Sequence, residues 1–428
     1  MAVNDRNDPT TDDRTTDDDG TASAGPADLS RTAGAVIAAP VQRLTPRDAV
    51  AVAAMFLGTF AVGIDSFVIS PLLTEMGASL QASAGQIALG VTAYAAAYAI
   101  GAPLLSPLGD RFRSQIVAGV GLLLFAAATL TLAAQTTLAG FLVLRVVAGL
   151  GGAMWMPNVQ AYLTRRYQPP LSTRLVGIVV AGLSAAIALG VPAGALAASV
   201  LSWRQTFVGI AVLAAVGAAV LLVTLGGRPG VAAGTPRRLG DYPRALVAPG
   251  PRRALLATLC WMTGFYGLYT FLGTFLQHRL GVGIAASGAY LIAYGVGNFV
   301  ASMTSGWVNP RLGAPHRAIA WFGAASALFV LLLTGLPLSP VLAIVLLLGW
   351  AVAQGYASTG LIALAASRGG DRVTTVLALN SSFIYVGTAV GAALFAVLPG
   401  PAVLALGLPS ALLTLVAAVF AARADAAA

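Results

Sequence analysis

"GGRPGVAAGTPRRLGDYPRALVAPGPRR" (226–253) divides this chain into two halves of similar design. The stretch is rich in Gly, Pro and Arg, a composition that favours a linker over a folded element. Long apolar segments separated by short polar turns lie on both sides of it. Each segment reaches the roughly 20 residues that a helix needs to cross the hydrocarbon core of a bilayer. The sequence therefore predicts two sets of membrane-spanning helices joined by one linker.

Six helices are predicted on each side of the linker. Hydrophobic residues make up 58% of the chain and charged residues only 9%, against about 25% charged in soluble proteins. We therefore expect an all-α membrane protein with 12 helices in two pseudo-symmetric bundles. The first six lie near 49–73, 85–107, 115–134, 138–163, 173–200 and 205–227. The second six lie near 254–277, 285–308, 317–336, 341–364, 373–398 and 400–422. The predicted domains are a tail (1–46), a first bundle (47–227), the linker proper (228–253) and a second bundle (254–428).

The tail differs in composition from the rest of the chain. Eight of the 15 acidic residues fall within it, it is rich in Thr, and it lacks aromatic residues. That composition predicts a disordered acidic segment. It lacks the basic start and apolar core of a signal peptide.

Arginine placement predicts the orientation. All 24 basic residues are Arg, and 18 of them flank the helix ends that face inward if the N-terminus is cytoplasmic. Only Arg204 and Arg279 lie on the other side. Because basic residues concentrate on cytoplasmic loops, we expect a multi-pass protein of the bacterial inner membrane with both termini in the cytoplasm.

Several function classes are disfavoured by residue content. Without Lys, the chain cannot form a phosphate-binding loop that ends in Gly-Lys, and its scattered arginines argue against nucleic acid binding. One cysteine, Cys260, excludes an internal disulfide, and two distant histidines, His278 and His316, exclude a zinc-binding helix of the His-Glu-x-x-His type. No cofactor or metal is expected. An integral membrane enzyme is disfavoured because no buried nucleophile, base and acid occur together.

The two halves resemble distant copies of one another. "SPLGDRF" (106–112) corresponds to "GWVNPRL" (306–312), and the glycines of the fifth helix correspond to Gly387 and Gly391 of the eleventh. The offset is nearly constant, which indicates a duplicated six-helix unit. Parallel repeats of this kind are typical of one transporter architecture.

Two charged residues lie inside predicted helices. "LGTFAVGIDSFVISPLL" (57–73) carries Asp65 about two thirds along the first helix, and "RVVAGLGGAMWMPN" (145–158) begins with Arg145. A charge at the bilayer centre costs about 2.5–3.5 kcal/mol on insertion scales, so such residues face a partner or a cavity. Asp65 is then either a titrating proton carrier or a structural acid permanently paired with Arg145. For Arg145 the other interpretation is a helix-end arginine that reaches the membrane surface.

Small residues and a proline mark the fifth helix, "GLSAAIALGVPAGALAA" (182–198). Small residues allow helices to approach closely, and proline interrupts the backbone ladder. The packing and hinge candidates are Gly149, Gly182, Gly190, Pro192 and Gly194.

Aromatic and polar residues in the second half are candidates for lining a binding cavity. Ligand sites are mostly apolar and aromatic with a few polar groups. The alternatives are aromatic residues of the membrane interface and polar residues that hold helices together. The candidates are Phe265, Tyr266, Tyr269, Tyr294, Asn298, Gln354, Asn380 and Tyr385.

From about residue 48 to 423 the chain resembles the major facilitator superfamily, in particular its twelve-helix drug–proton antiporter branch. "GDRF" (109–112) falls where that superfamily has its GxxxDRxGRR loop, although Ser106 replaces the first Gly and "RSQ" (113–115) the later GRR. Arg145 and Gly149 match the RxxxG pattern of the family's fourth helix. "GVPAG" (190–194) is a relaxed version of the Gly-Pro-x-x-Gly-Gly element.

This resemblance implies a role for the charged residues. Asp65 and Arg145 would couple transport to protons. The loop would close the cytoplasmic side together with the start of the eleventh helix. The gate candidates are Asp110, Arg111, Asp371 and Arg372.

The function implied is secondary active transport by a monomer in the lipid bilayer, with protons exchanged for a small amphipathic organic compound. An uptake carrier, or a carrier of sugars or metabolites, on the same fold remains the alternative.

Overall fold

Long helices dominate the computed structural model of the chain, which describes residues 43–105, 108–228, 246–398 and 403–425. Within these ranges the side chains of Asp110, Asp371, Thr374, 403–405 and Asp425 are not described. Twelve helices of the described residues are long and apolar enough to cross a membrane. The predicted tail lies almost wholly, and the predicted linker largely, outside the described residues, so the three boundaries between the four domains stay a prediction.

The first six helices occupy the described residues before the linker. Their bounds are α1 Pro46–Phe67, α2 Ala84–Leu105, α3 Ser114–Ala133, α4 Leu138–Arg166, α5 Leu171–Val200 and α6 Trp203–Leu225. The other six follow the linker. Their bounds are α7 Pro249–Leu280, α8 Ile284–Val308, α9 Pro315–Gly335, α10 Pro340–Ser367, α11 Val373–Ala396 and α12 Val403–Asp425.

Hydroxyl side chains cap the beginnings of several helices. Thr45 accepts a hydrogen bond from Asp48 N while the Asp48 carboxylate accepts from Thr45 N, which is a capping box. Thr137, Ser202 and Ser339 cap α4, α6 and α10 through their hydroxyl oxygens. These caps satisfy backbone N–H groups that would otherwise lack a partner at a helix start.

The first helix differs from its predicted bounds. It ends at Phe67, and after Val68 a second helix, Ile69–Leu80, continues in its place; we call this second helix the α1 extension. Pro71 explains the break, because it has no N–H to donate and its ring crowds the carbonyl of Phe67 four residues earlier. The seventh helix also begins earlier than predicted, with Pro249 in its first turn, where proline is favoured. The end of the predicted linker therefore belongs to α7.

The fifth helix contains a change of helical form at its predicted hinge. Leu171–Ala185 and Val191–Val200 are α-helical, and Ala186–Gly190 between them forms a π-helical turn. Pro192 follows this turn and cannot donate a backbone hydrogen bond. The wider π-helical turn allows the helix to continue although Pro192 donates no backbone hydrogen bond.

The helices of each half pack in the same pattern. In the first half α1 contacts α5 and α6, α4 contacts α2 and α3, and α3 contacts α6; the equivalent helices of the second half make the equivalent contacts. One indole N–H joins the first and fourth helices of each half: Trp155 donates to Thr59 Oγ1 (3.2 Å) and Trp261 donates to Gln354 Oε1 (2.8 Å). The prediction of two pseudo-symmetric six-helix bundles is confirmed.

Three helix pairs make most of the contacts between the halves. α2 contacts α11, α5 contacts α8, and the α1 extension contacts α7. We call the membrane face where α1 begins the proximal face, and the face where the α1 extension ends the distal face.

Candidate functional site

A buried ion pair joins α1 and α4. Asp65 Oδ2 lies 2.6 Å from Arg145 Nη1, and the side chains are 0% and 1% exposed. Arg145 Nε also donates to the carbonyl of Gly90 on α2 (3.2 Å), and the guanidinium lies 4.6 Å from the centre of the Tyr94 ring. The cation is therefore held by a carboxylate, a backbone carbonyl and the face of an aromatic ring.

The acid of this pair is only partly satisfied. Asp65 Oδ1 is buried, and among the described residues it has no hydrogen-bond partner. A carboxylate offers about four lone-pair directions across its two oxygens. Oδ1 therefore presents an open acceptor position at which a proton or a water molecule can bind.

The position of Asp65 differs from the expected one. The first predicted helix ended at residue 73, which placed Asp65 in its outer part. Because the α1 extension continues to Leu80, Asp65 lies near the middle of the combined segment.

Glycines, which have no side chain, let the helices around this ion pair approach one another closely. Gly149 of α4 lies against the Tyr94 carbonyl of α2, and Gly190 of α5 lies against the Ile64 side chain of α1. A Cβ at Gly182 would lie 2.9 Å from Phe56 O, and one at Gly194 would lie 2.8 Å from Val68 Cγ2. With Pro192 beside the π-helical turn, these packing candidates bring α4 and α5 close to the helices that carry the ion pair and its partners.

Four aromatic candidates of the second half lie together. Phe265, Tyr269 and Tyr294 are buried with Trp350 of α10, and the ring centres of Tyr269 and Tyr294 are 5.4 Å apart. Tyr266 is half-buried and contacts Phe265. Phe67 joins from α1, with its ring 5.2 Å from that of Tyr269.

The hydroxyls of Tyr269 and Tyr294 are buried, and no described group hydrogen-bonds to either. Buried polar groups are usually paired. These two hydroxyls are available to a water molecule or a ligand.

The polar candidates divide into two groups. Gln354 accepts from the Trp261 indole, and Asn380 Oδ1 accepts from the Thr258 hydroxyl (2.7 Å). These two residues join helices, which was the alternative interpretation. Asn298 is half-buried, and Tyr385 of α11 is half-buried and stacks on Tyr98 of α2 with 3.5 Å between ring centres.

The gate candidates are described only in part. Arg111 is exposed beside the ring of Phe112 (5.2 Å), and Arg372 is exposed at the start of α11. The side chains of Asp110 and Asp371 lie outside the described residues. A contact between the loop and α11 therefore stays a prediction.

Sequence reasoning missed several residues of this region. Phe67, Tyr98 and Trp350 carry no signal beyond being aromatic, and their contacts depend on how helices of different halves align. Glu75 lay just beyond the predicted first helix. In the structure its Oε1 accepts from Trp203 N at the start of α6 (3.0 Å), so an acid caps a helix where its charge is favoured.

Residues 55–392 match the family model described as Major Facilitator Superfamily. The chain is 29% identical over 314 residues to the uncharacterised MFS-type transporter YwfA of Bacillus subtilis (strain 168), covering 72% of this chain and 75% of that protein. It is 28% identical to the chloramphenicol resistance protein of Streptomyces lividans, covering 61% and 67% of the two chains. It is 23% identical to the purine ribonucleoside efflux pump NepI of Escherichia coli O127:H6 (strain E2348/69 / EPEC), covering 45% and 48%.

The fold is also similar to a solved structure. A bacterial homologue of the human lysosomal transporter Spinster, in an inward-facing and unoccupied conformation, superposes with a TM-score of 0.70 at 16% identity, covering 90% of this chain and 97% of that one.

Proposed function

The chain belongs to the Major Facilitator Superfamily of transporters, and we propose that it exports small amphipathic organic compounds in exchange for protons, by alternating access. The observation that carries the proposal is the Asp65–Arg145 pair, with one carboxylate oxygen lacking a partner among the described residues. Alternating access in this architecture places the binding site near the bilayer midplane, between the two repeats. Asp65 lies near the middle of its segment, which supports its assignment to that site.

A proton on Asp65 would change the forces that hold this pair. The ionised carboxylate is attracted to Arg145, while the protonated acid is neutral and loses most of that attraction. Arg145 would keep its contacts with Gly90 O and the Tyr94 ring. Protonation would therefore loosen α1 from α4 without leaving the guanidinium unpartnered.

The charge balance of the site favours uncharged substrates. Among the described residues the buried charged side chains are Asp48, near the proximal face, and the mutually neutralising pair of Asp65 and Arg145. A cation would compete with Arg145 for the carboxylate, and an anion would compete with Asp65 for the guanidinium. The site suits a neutral compound with a flat ring and a polar group. The ring can pack against Phe265 and Trp350, and the polar group can bond to the hydroxyls of Tyr269 and Tyr294.

Two further observations support export from the cytoplasm. The names of two relatives describe chloramphenicol resistance and purine ribonucleoside efflux. The arginine distribution supports a cytoplasmic proximal face in a bacterial inner membrane, with both termini on that side. Protons would then enter from the distal side.

Asp65→Asn tests the proposal. The amide keeps the size and much of the hydrogen bonding of the acid but does not titrate. We expect it to abolish transport driven by a pH gradient in proteoliposomes supplied with uncharged aromatic compounds, while membrane insertion is unchanged. Asp65→Glu should retain part of the activity.

Glu75→Gln is the matched control, because it also converts an acid to an amide on the same segment and its oxygen still accepts from Trp203 N. It should transport as the parent does. Normal proton-driven flux through Asp65→Asn would contradict the assignment of Asp65 and make Asp110 the next candidate.

A further inference from the structure

On the distal side of the ion pair, the α1 extension and α7 are joined by uncharged groups. The Ser70 hydroxyl donates to Tyr269 O (2.7 Å) and accepts from Gly273 N (2.9 Å). The Gln277 side-chain amide donates to Pro71 O (2.9 Å) and to the Ser287 hydroxyl (3.0 Å). The two bonds of Ser70 and the bond from Gln277 to Pro71 cross from the first half of the molecule to the second, whereas the bond to Ser287 joins α7 to α8 within the second half.

The Ser70 hydroxyl bonds to both backbone groups of one turn of α7. In an uninterrupted α-helix the N–H of residue 273 bonds to the carbonyl of residue 269, four positions earlier. Those are the two groups that Ser70 binds. If the halves separate here, the N–H of Gly273 and the carbonyl of Tyr269 can bond to each other, so neither backbone group is left unsatisfied. The junction can open at little cost to α7.

Gly273 makes this approach possible. A Cβ on Gly273 would lie 2.5 Å from Pro71 N and 2.6 Å from the carbonyl carbon of Ser70, closer than atoms can approach without movement. The atoms it would meet belong to backbone, which cannot rotate away as a flexible side chain can. Any larger residue at this position must therefore push the α1 extension and α7 apart.

We propose that Ser70, Pro71, Gly273 and Gln277 form a distal latch that closes the extracellular side of the transporter and opens when the bonds of Ser70 and Gln277 across the two halves break while α7 stays helical. The proposal rests on the alternating-access cycle proposed above. It adds four positioning residues whose role is to set the balance between the closed and open distal side. Because the four latch residues contain no titratable group, their contribution to this balance is expected to be independent of pH.

Cysteine labelling tests the latch. Cys260 is the chain's single cysteine, so Cys260→Ala gives a background for Ser66→Cys, a half-buried position between the ion pair and the latch. In this background we expect Gly273→Ala to raise the labelling rate of residue 66 by an impermeant maleimide added from the distal side roughly tenfold. Ser70→Ala only removes atoms and should also raise the labelling rate of residue 66. It therefore provides the test if Gly273→Ala does not insert into the membrane. Both increases should be equal below and above neutral pH.

Two controls match these variants. Gly306→Ala adds a methyl group in α8 where no atom lies within 4 Å. Thr274→Val removes a hydroxyl, beside Gly273, that has no hydrogen-bond partner among the described residues. Neither should change the labelling. The latch is refuted if inserted Ser70→Ala labels at the parent rate, or if the controls shift as much as the variants. Since labelling needs neither substrate nor a proton gradient, this result is independent of the Asp65 transport test.

Discussion

At the scale of single residues, the ion pair of Asp65 and Arg145 is the feature on which the proposed mechanism depends. Taking two charges out of water is costly, and their attraction compensates only when the geometry is good and the remaining groups are bonded. Arg145 meets this condition through Gly90 O and the Tyr94 ring, whereas Asp65 leaves one oxygen without a described partner. The less satisfied member of the pair is therefore the one that would exchange a proton.

Removing only one charge should be worse than removing both. Arg145→Gln leaves the Asp65 carboxylate buried without a counter-ion, a change that costs about 3–5 kcal/mol in comparable buried pairs. In the double variant Asp65→Asn, Arg145→Gln, two amides face each other, and the loss should be smaller. Unfolding in detergent, followed by circular dichroism, measures each variant. Additive effects of the two substitutions would show that the pair is not coupled.

The sequence was informative about these two residues because a charge within an apolar segment is conspicuous. It was uninformative about Tyr98, which stacks on Tyr385 from the other half. That contact depends on the alignment of α2 with α11, which no local pattern encodes. For Gln354 and Asn380 the sequence left two interpretations open, and it gave no sign of their hydrogen bonds to Trp261 and Thr258, which join helices.

At the scale of helices, the proximal ends of the first bundle are tied at one point. Asp48 in the first turn of α1 forms an ion pair with Arg228, which follows α6. Arg113 and Gln115, at the start of α3, donate to the carbonyl of Arg228 (3.3 Å each). Burial lowers the pKa of the Arg228 guanidinium, but its hydrogen bond and attraction to Asp48 raise that pKa overall, so Arg228 stays charged at physiological pH.

Arg228→Ala should loosen this junction. It leaves the Asp48 carboxylate, 1% exposed, without its cation, and we expect a loss of at least about 1 kcal/mol in the free energy of unfolding. Arg174→Ala, at an exposed position near the start of α5, is the control and should change stability little. Chemical denaturation in mild detergent compares the two. Equal stability of both variants would mean that the Asp48–Arg228 pair contributes nothing.

Helix number was predictable and helix ends were less so. Length and hydropathy are properties of whole segments, and they identified all twelve spans. Ends depend on single residues: Pro71 divides the first segment at Val68, and Pro249 begins α7 inside the predicted linker. Both prolines are visible in the sequence, but hydropathy alone assigns them no role.

At the scale of the whole molecule, the two repeats share their packing pattern but differ in chemistry. The first half carries the buried ion pair, and the second carries the group of Phe265, Tyr269, Tyr294 and Trp350. Duplication of a six-helix unit thus explains the number of helices and their contacts. Divergence of the two copies explains why one carries the ion pair and the other carries the aromatic group.

Orientation is the property of the whole molecule that is most directly measurable. Reporters fused within 226–253 and at the C-terminus should both be active in the cytoplasm, because arginines concentrate at the proximal helix ends. A reporter inserted between α7 and α8, at Gly281–Gly283, should be active only on the opposite side. An extracellular signal from either of the first two fusions would overturn the proposed orientation.

The uncharged chemistry of the distal latch has an electrical consequence. A membrane potential acts on each charge that crosses it with about 2.3 kcal/mol per 100 mV, but it does no work on neutral hydroxyl, amide and backbone groups that separate by a short distance. Opening and closing the latch should therefore contribute no gating current. On the proposed mechanism, with an uncharged substrate, any voltage dependence of transport would then come from the protons carried by Asp65.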